Sequence, residues 1–339
     1  MTPAVSVIIP TYNRGEILRR CVDSVLNACL AQDEIIIVDA ASHNDAEVLI
    51  NEYDDSRLNY MRMKNAGVSA ARNFGLEIAT YDLIAYIDDD DEWHPLKLSV
   101  QRKLLEKHPL AVGCFTNIWA TDTNGEKHPN YLFQWGQPVQ DWNQLLGEKR
   151  TSVVDGAAIE IDYYYGDHYF NQMLDDYVLP SSLLIDRSKF HEPLIYRVGM
   201  QRNESWLYTS QVCRQGPVIY VDFDLTCHHG DAPNRLTSIP QIETVLSRLY
   251  VLEHEFGKQF DFLQENQVAF SQRVSRELDV LFRTVMSAGI VNRRQIFKDH
   301  AHRGGKIALA SKMPKPILSV LSIVFRAAGR LRRLVTKRS

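Results

Sequence analysis

The sequence predicts an α/β protein built on a doubly wound, mostly parallel sheet, with a helical extension at its C-terminal end. Three observations carry that expectation. Over the first 120 residues short β-branched runs alternate with helical patterns, the order that yields a parallel sheet covered on both faces. Polar clusters stand just after the first, second and fourth of those runs, where such sheets bind ligands beyond the carboxyl ends of their strands. Beyond Pro240 the strand pattern gives way to helical ones.

Taken in order, residues 5–9 read as a buried strand. Residues 15–30 read as a helix with Ile17, Leu18, Cys21, Val22, Val25 and Leu26 on one face. Residues 34–38 give a second strand, 45–53 a helix, 58–63 a third strand and 68–79 a helix of small residues. Residues 83–87 give the fourth strand, 95–107 a helix with proline in its first turn, and 111–116 the fifth strand. From 122 to 166 the pattern loosens into loops rich in Trp, Tyr, Asn, Gly and Pro. A strand pair is expected at 179–185 and 218–222, then helices at 242–256, 260–286 and 316–335. The expected boundary falls near residue 235, dividing 1–235 from an extension, 236–339.

Composition narrows the function classes. The chain has 339 residues, 45% of them hydrophobic and 24% charged, which excludes wholesale disorder and a disulfide scaffold. No apolar run approaches the roughly 18 residues of a spanning helix. The N-terminus carries no charged leader and cleavage site, and the five cysteines are dispersed without a C-x-x-C pair. Secretion and structural zinc are therefore not expected; reduced thiols in a cytoplasmic setting are. The net charge of −4 conceals an asymmetry. Residues 300–339 hold ten Lys/Arg and no Asp/Glu, leaving 28 basic against 42 acidic side chains before them. An acidic body argues against nucleic acid as a partner. The basic tail over 317–335 reads as an amphipathic helix on an anionic membrane surface, with Ser319, Ser322, Arg326, Arg330 and Arg333 on its polar face. Packing on the body is the alternative.

The chemistry concentrates in the three polar clusters, Thr11-Tyr12-Asn13, Asp39 and Asp88-Asp89-Asp90-Asp91. Four consecutive aspartates are costly to place together unless a positive group binds them. Mg²⁺ or Mn²⁺, held by one or two carboxylates and bridging to phosphates, fits that need; a solvated turn capping the next helix is the alternative. Asp39, at the end of a strand, offers an acceptor for the imide N–H of uracil or thymine, or serves as a turn aspartate. Arg72, among Ser69, Ala70 and Ala71, offers a guanidinium for phosphate, or a surface ion pair.

VSVIIPTYNR, IIIVDAAS, NAGVSAARNFGL and YIDDDDEWHPLKL, followed by PSSLLIDRSKF, NESWL and CHHG, together resemble the family-2 inverting glycosyltransferases of the GT-A fold. The resemblance covers residues 4–115 well and resumes at 180–190, 203–207 and 227–230. It implies a nucleotide-binding half over 1–120 and an acceptor half over 121–235. It implies that Thr11, Tyr12 and Asn13 line the nucleotide pocket, that Asp39 meets the base, and that Arg72, Asp88 and Asp89 meet the nucleotide. Asp90, with Asp88 and His228, would hold the metal. The acceptor is expected over Tyr164, Ser181, Ser182 and Trp206, where aromatic rings can stack on sugar faces; ordinary loop packing of the tyrosine run is the alternative.

Two departures stand out. Asp39 is followed by Ala40 and Ala41 where the family has a second aspartate and a glycine. The acidic pair that usually supplies the catalytic base reads Glu204-Ser205, leaving Glu204 as the surviving carboxylate, with Asp167, Asp175 and Asp176 as substitutes. The expectation is a metal-dependent transferase moving a sugar from a nucleotide-sugar, UDP above all, to a glycan or lipid-linked glycan, peripheral on the inner membrane face. Two alternatives stay open. One is an inactive sugar-nucleotide-binding scaffold of a polysaccharide assembly. The other, a sugar-1-phosphate nucleotidyltransferase, is disfavoured because TYNRGE is not its Gly-rich, Arg-containing loop.

Overall fold

The computed structural model describes residues 2–43, 46–64, 67–133, 142–154, 159–230, 241–287, 293–314, 316–319 and 321–323. The chain divides into two compact units, one of residues 1–200 and 204–235, the other of 201–203 and 236–339.

The first unit begins with β1 (Val5–Thr11), α1 (Glu16–Ala28), β2 (Glu34–Asp39), α2 (Ala46–Asn51), β3 (Leu58–Arg62), α3 (Gly67–Ile78) and β4 (Leu83–Tyr86). It continues through β5 (Asp91–Trp93), α4 (Lys97–Lys107), β6 (Gly113–Thr121), β7 (Lys127–His128), α5 (Trp142–Leu146), β8 (Arg150–Val154) and β9 (Ile159–Gly166). It ends with α6 (Tyr169–Leu174), β10 (Leu184–Asp186), α7 (Glu204–Gln215) and β11 (Val218–His229). Among the described residues the strands form one sheet in the order β3-β2-β1-β4-β10-β6-β11-β9-β8, with β5 on β11 and β7 on β6. Strands β1, β2, β3, β4, β6, β8 and β11 run one way, and β5, β7, β9 and β10 run against them.

Every residue of β1 is buried, as a central parallel strand covered on both faces requires. Helix α1 lays Leu18, Cys21, Val22 and Val25 into the core. Small residues let α3 approach closely: a Cβ on Gly75 would stand 2.5 Å from Ile8 Cγ2. In register, Thr11 pairs with Asp39, so the first two polar clusters end side by side.

The differences from the sequence reading lie in the second half of this unit. The expected pair at 179–185 and 218–222 is not a pair: β10 runs antiparallel between β4 and β6, while β11 joins β6, β9 and β5. The region expected as loops holds β7, α5, β8 and β9. Its tyrosine run forms β9, with Tyr163 and Tyr164 buried, because β11 supplies the antiparallel partner that the local sequence does not reveal. Likewise Asp91–Trp93 is a strand only because Asp91, Glu92 and Trp93 pair with His228, Cys227 and Thr226.

The second unit is helical: α8 (Gln241–His254), α9 (Phe260–Ser287), α10 (Arg293–Asp299) and α11 (Gly305–Lys312). Val245, Leu249, Leu281, Val285, Met286, Phe297 and Ile307 form its core. Asn266 interrupts α9 with φ −118°, its amide turned back to the Phe262 carbonyl at 3.0 Å. The start of the C-terminal segment packs on this unit. Leu318 is buried in this core, Leu321 packs against it, and Ser322 donates to the Met286 carbonyl at 2.7 Å. Ser322 therefore faces inward rather than along a polar outer face, because a carbonyl awaits its hydroxyl, while Ile317, Ser319 and Ile323 are exposed. Arg326, Arg330 and Arg333 lie outside the described residues. No helix of the described residues is long and apolar enough to cross a membrane.

Candidate active site

The crevice at the carboxyl ends of β1, β2 and β4 begins with two interlocked turns. Asn13, in the left-handed region at φ 56°, donates its N–H to Ser42 Oγ at 2.9 Å, and its Oδ1 accepts from His43 N at 2.7 Å. Tyr12 is exposed beside His43, their rings edge to face at 6.5 Å, which makes a wall open to a planar group. Thr11 is buried, its carbonyl accepting from Ala40 N.

Asp39 departs from expectation. At the end of β2 it is fully buried. Its Oδ1 accepts from Ser42 N and Oγ at 2.8 and 2.6 Å, and its Oδ2 accepts from the Tyr60 hydroxyl at 2.6 Å. Both oxygens serve the pocket wall, the turn-aspartate alternative of the sequence reading. Burial, then the bond to Asp39, pushes the Tyr60 hydroxyl well above its ordinary pKa, so it stays a donor to that carboxylate.

The aspartate run follows β4. Asp88 N donates to Ser181 Oγ at 3.0 Å, and Asp91 N to the Asp88 carbonyl at 2.9 Å, closing a turn. The like-charge cost is met from within the chain. Arg72 reaches Asp88 Oδ1 at 2.5 Å and Glu204 Oε1 at 3.3 Å; Arg14 reaches Asp89 at 2.9 Å and Asp90 at 3.5 Å. Arg20 adds a bond to the Asp90 carbonyl at 3.4 Å. Burial alone would lower the Arg72 pKa, but Asp88, Tyr196 and Glu204 outweigh it and hold the guanidinium charged. Burial dominates at Asp89, which is pushed up to about 7 against the pull of Arg14. Arg14 and Arg20 escaped the sequence reading. The signal was present, since four adjacent carboxylates demand cations and Arg14 closes the TYNR motif.

The residues fit a divalent ion through two carboxylates. Asp88 is the most open of the run, its side chain 38% exposed and its Oδ2 without a partner among the described residues. Asp90 stands at the same turn, held near Arg14. Asp89 is taken by Arg14 and by Tyr12 N, and Asp91 by His228 Nδ1 at 3.1 Å. His228 thus sits beside the run, with its Nδ1 turned to Asp91. Elsewhere, on the β6–β7 hairpin, Asp122, Glu126 and His128 bring their ligand atoms within 4.8 Å of one another and could hold a metal ion; the sequence reading did not single them out. The Asp122 carboxyl is held below its ordinary pKa by the backbone N–H groups of Glu126 and Asn124.

Glu204 opens α7 and is buried, with Oε1 on Arg72 and Oε2 without a partner among the described residues. The expected acceptor residues are also buried. Tyr164 stacks on Tyr220 at 5.9 Å, Ser182 Oγ donates to the Leu179 carbonyl, and Trp206 Nε1 to the Gln172 carbonyl at 2.8 Å. Ser181 spends its hydroxyl on Asp88 N and its carbonyl on Trp93 Nε1 at 2.7 Å. None of these four presents an exposed face to an acceptor. Asp167 Oδ1 accepts from Tyr169 N, ahead of α6, at 2.8 Å, and Asp175 accepts from Asp176 N.

The family model described as glycosyl transferase family 2 matches residues 6–177. YibD, an uncharacterised glycosyltransferase of Escherichia coli K12, is 32% identical over 127 residues, 37% of each chain. WcaA of the same organism, a putative colanic acid biosynthesis glycosyl transferase, is 37% identical over 156 residues, 44% of this chain and 54% of its own. GlyA, a glycosyltransferase of Streptococcus pneumoniae serotype 4, is 35% identical over 227 residues, 65% of this chain and 30% of its own. The matches thus span about half or less of these relatives' length. Among solved structures, Staphylococcus aureus TarS 1–349 in complex with UDP-GlcNAc superposes with a TM-score of 0.62 over 88% of this chain and 80% of that one, at 14% identity. That likeness establishes the GT-A fold expected from the sequence.

Proposed function

The chain belongs to glycosyl transferase family 2, and from that membership we propose that it moves a sugar from a nucleotide-sugar, UDP-linked in the first instance, to a hydroxyl of a glycan or lipid-linked glycan during polysaccharide synthesis. Transfer inverts the anomeric carbon and uses Mn²⁺ or Mg²⁺. The observation that supports the reading most is the convergence of Asp88, Asp90, Arg14 and Arg72 at one sheet edge, beside the open wall of Tyr12 and His43. A nucleoside diphosphate needs that combination of a stacking surface, cations and hard oxygen ligands. The names of WcaA and of the TarS complex point to the same substrate classes.

Asp88 and Asp90 would hold the ion, which when bound neutralises charge on the diphosphate leaving group. Arg72 and Arg14 orient the same phosphates as fixed cations. Glu204 Oε2 takes the proton of the attacking hydroxyl, while Arg72 on Oε1 fixes the carboxylate in place. Asp39 acts on the base through Ser42 and Tyr60. The inactive-binder reading has Ser205 as its support, and product formation separates the two. Asp90→Ala, or EDTA, is expected to abolish transfer and weaken UDP binding in calorimetry. Near-normal turnover of Asp90→Ala in EDTA would sink the metal reading.

A further inference from the structure

Building on the donor-binding reading above, we propose that Tyr196 and Asn73 are positioning residues for the donor diphosphate, holding the Arg72 guanidinium between Asp88 and Glu204. Tyr196 belongs to no motif that the sequence brought forward, and Asn73, although inside NAGVSAARNFGL, has no role assigned to it there. Asn73 follows Arg72 on α3, and its amide grips the Tyr196 backbone at both ends: Nδ2 donates to Tyr196 O at 2.8 Å and Oδ1 accepts from Tyr196 N at 2.7 Å. The ring held this way returns to Arg72, whose Cζ lies 4.9 Å from its centroid. Behind it Tyr196 stacks on Tyr208, centroids 4.0 Å apart and planes within 12°, and the Tyr208 hydroxyl meets that of Tyr86 on β4 at 3.0 Å. Successive residues of one helix thus do two jobs. One points into the crevice, and the other fixes the surface on which the first rests.

The guanidinium needs such a surface. It is buried, its two terminal nitrogens go to different carboxylates, and its Nε has no partner among the described residues. Two bonds at one end of a long side chain leave rotation of the plane open, and a desolvated cation over an aromatic face is held more firmly than an exposed one. The Tyr196 hydroxyl is buried without a partner among the described residues, so the ring is the working part.

The test measures UDP binding with Mn²⁺ by calorimetry, together with donor KM and kcat, on the full chain. Tyr196→Leu is expected to weaken UDP about tenfold, the equivalent of about 1.4 kcal/mol, and to raise donor KM to match. Tyr196→Phe, which keeps the ring, is expected to restore the affinity. A merely structural role would lower the active fraction and the unfolding midpoint without moving the UDP Kd of the folded protein. Asn73→Ala, which leaves ring and guanidinium in place, is expected to shift UDP affinity in the same direction and decides the matter if Tyr196→Leu does not fold. Unchanged affinity in Asn73→Ala or Tyr196→Leu overturns the proposal, as does a Phe variant as weak as Leu. A wild-type chain that binds no UDP overturns the donor reading, and this proposal with it.

Discussion

Arg102 and Arg72 are both buried against carboxylates, at opposite edges of one sheet. At the edge where β1 and β2 begin, Arg102 meets Asp33 at 2.5 Å, with side chains 4% and 0% exposed. Asp33 spends its remaining capacity on Val5 N at 2.9 Å and Leu30 N at 2.6 Å. One cation and two backbone donors occupy both oxygens of a carboxylate that no solvent reaches, and although Arg102 Nε has no partner among the described residues, no acidic oxygen is left open to a ligand. At the edge where β1 and β4 end, Arg72 serves two carboxylates at once, and one of them, Asp88, keeps 38% of its side chain exposed and an oxygen unused. The residue types match; the stoichiometry and the open leg do not. A buried ion pair that is sealed speaks of the fold, and one left over-acidic and half open speaks of a ligand.

The comparison can be broken first at Glu204. Glu204→Gln keeps the shape and an acceptor for Arg72 but removes the proton acceptor, so turnover is expected to fall about 10²–10⁴-fold with UDP affinity nearly unchanged. Steady-state kinetics and calorimetry read the two quantities. Unchanged turnover would transfer the base to the segment holding Asp167, Asp175 and Asp176, and would make Glu204 as sealed as Asp33.

Next comes the exchange of the two arginines for methionine. Arg72→Met is expected to lower kcat/KM about 10²–10³-fold, the usual loss for one preorganised donor, in a protein that still unfolds cooperatively. Arg102→Met strands Asp33 in the interior, and breaking a buried pair costs about 3–5 kcal/mol. Urea denaturation should show that loss while the folded fraction binds UDP normally. If the two variants trade phenotypes, exposure of one partner is no guide to function here.

The smallest effect belongs to a third buried cation, Lys97, which has no carboxylate. Its Nζ donates to Gln101 Oε1 at 2.9 Å and lies 4.1 Å from the Trp93 ring centroid. Burial pushes its pKa down to about 7. The unfolded chain therefore holds a proton that the folded one gives up, and stability should rise with pH above 7 towards the ordinary lysine range, by at most about 1.4 kcal/mol per pH unit. Urea midpoints at pH 7, 8 and 9 should climb in the wild type and flatten in Lys97→Met.

How much of this could be read beforehand depended on where the information lies. Residues 5–9 and 34–38 show themselves as strands because buried parallel strands are uninterrupted apolar runs. The convergence of Thr11, Asp39 and Asp88 follows from counting strands. Strand β5 carries an acidic, turn-like sequence and exists through its pairing with His228 and its neighbours, which no local window contains. The tyrosines of β9 were legible as residues but not as a strand, for the same reason. At the site, the residues named from motifs reach the crevice, whereas their availability could not be read. Asp39 and Ser181 carry the right chemistry and have it engaged by Tyr60, Ser42, Asp88 and Trp93. Tyr196 and Asn73 matter only because a loop distant in sequence folds against α3.

The close contact between α3 and β1 carries a consequence for what substitutions this fold can absorb. Gly75 and Arg72 are three residues apart on a stiff helix, about 4.5 Å along its axis. A methyl at position 75 would meet Ile8 Cγ2 at 2.5 Å and Val38 Cγ2 at 3.4 Å, so the helix would have to lift away from the sheet. A rigid rod passes that displacement on undiminished, and the guanidinium one turn away would leave Asp88 by a similar distance. A single carbon at the helix–sheet contact thus acts at a distance on the buried guanidinium, and alanine, the mildest exchange on paper, has no neutral place there.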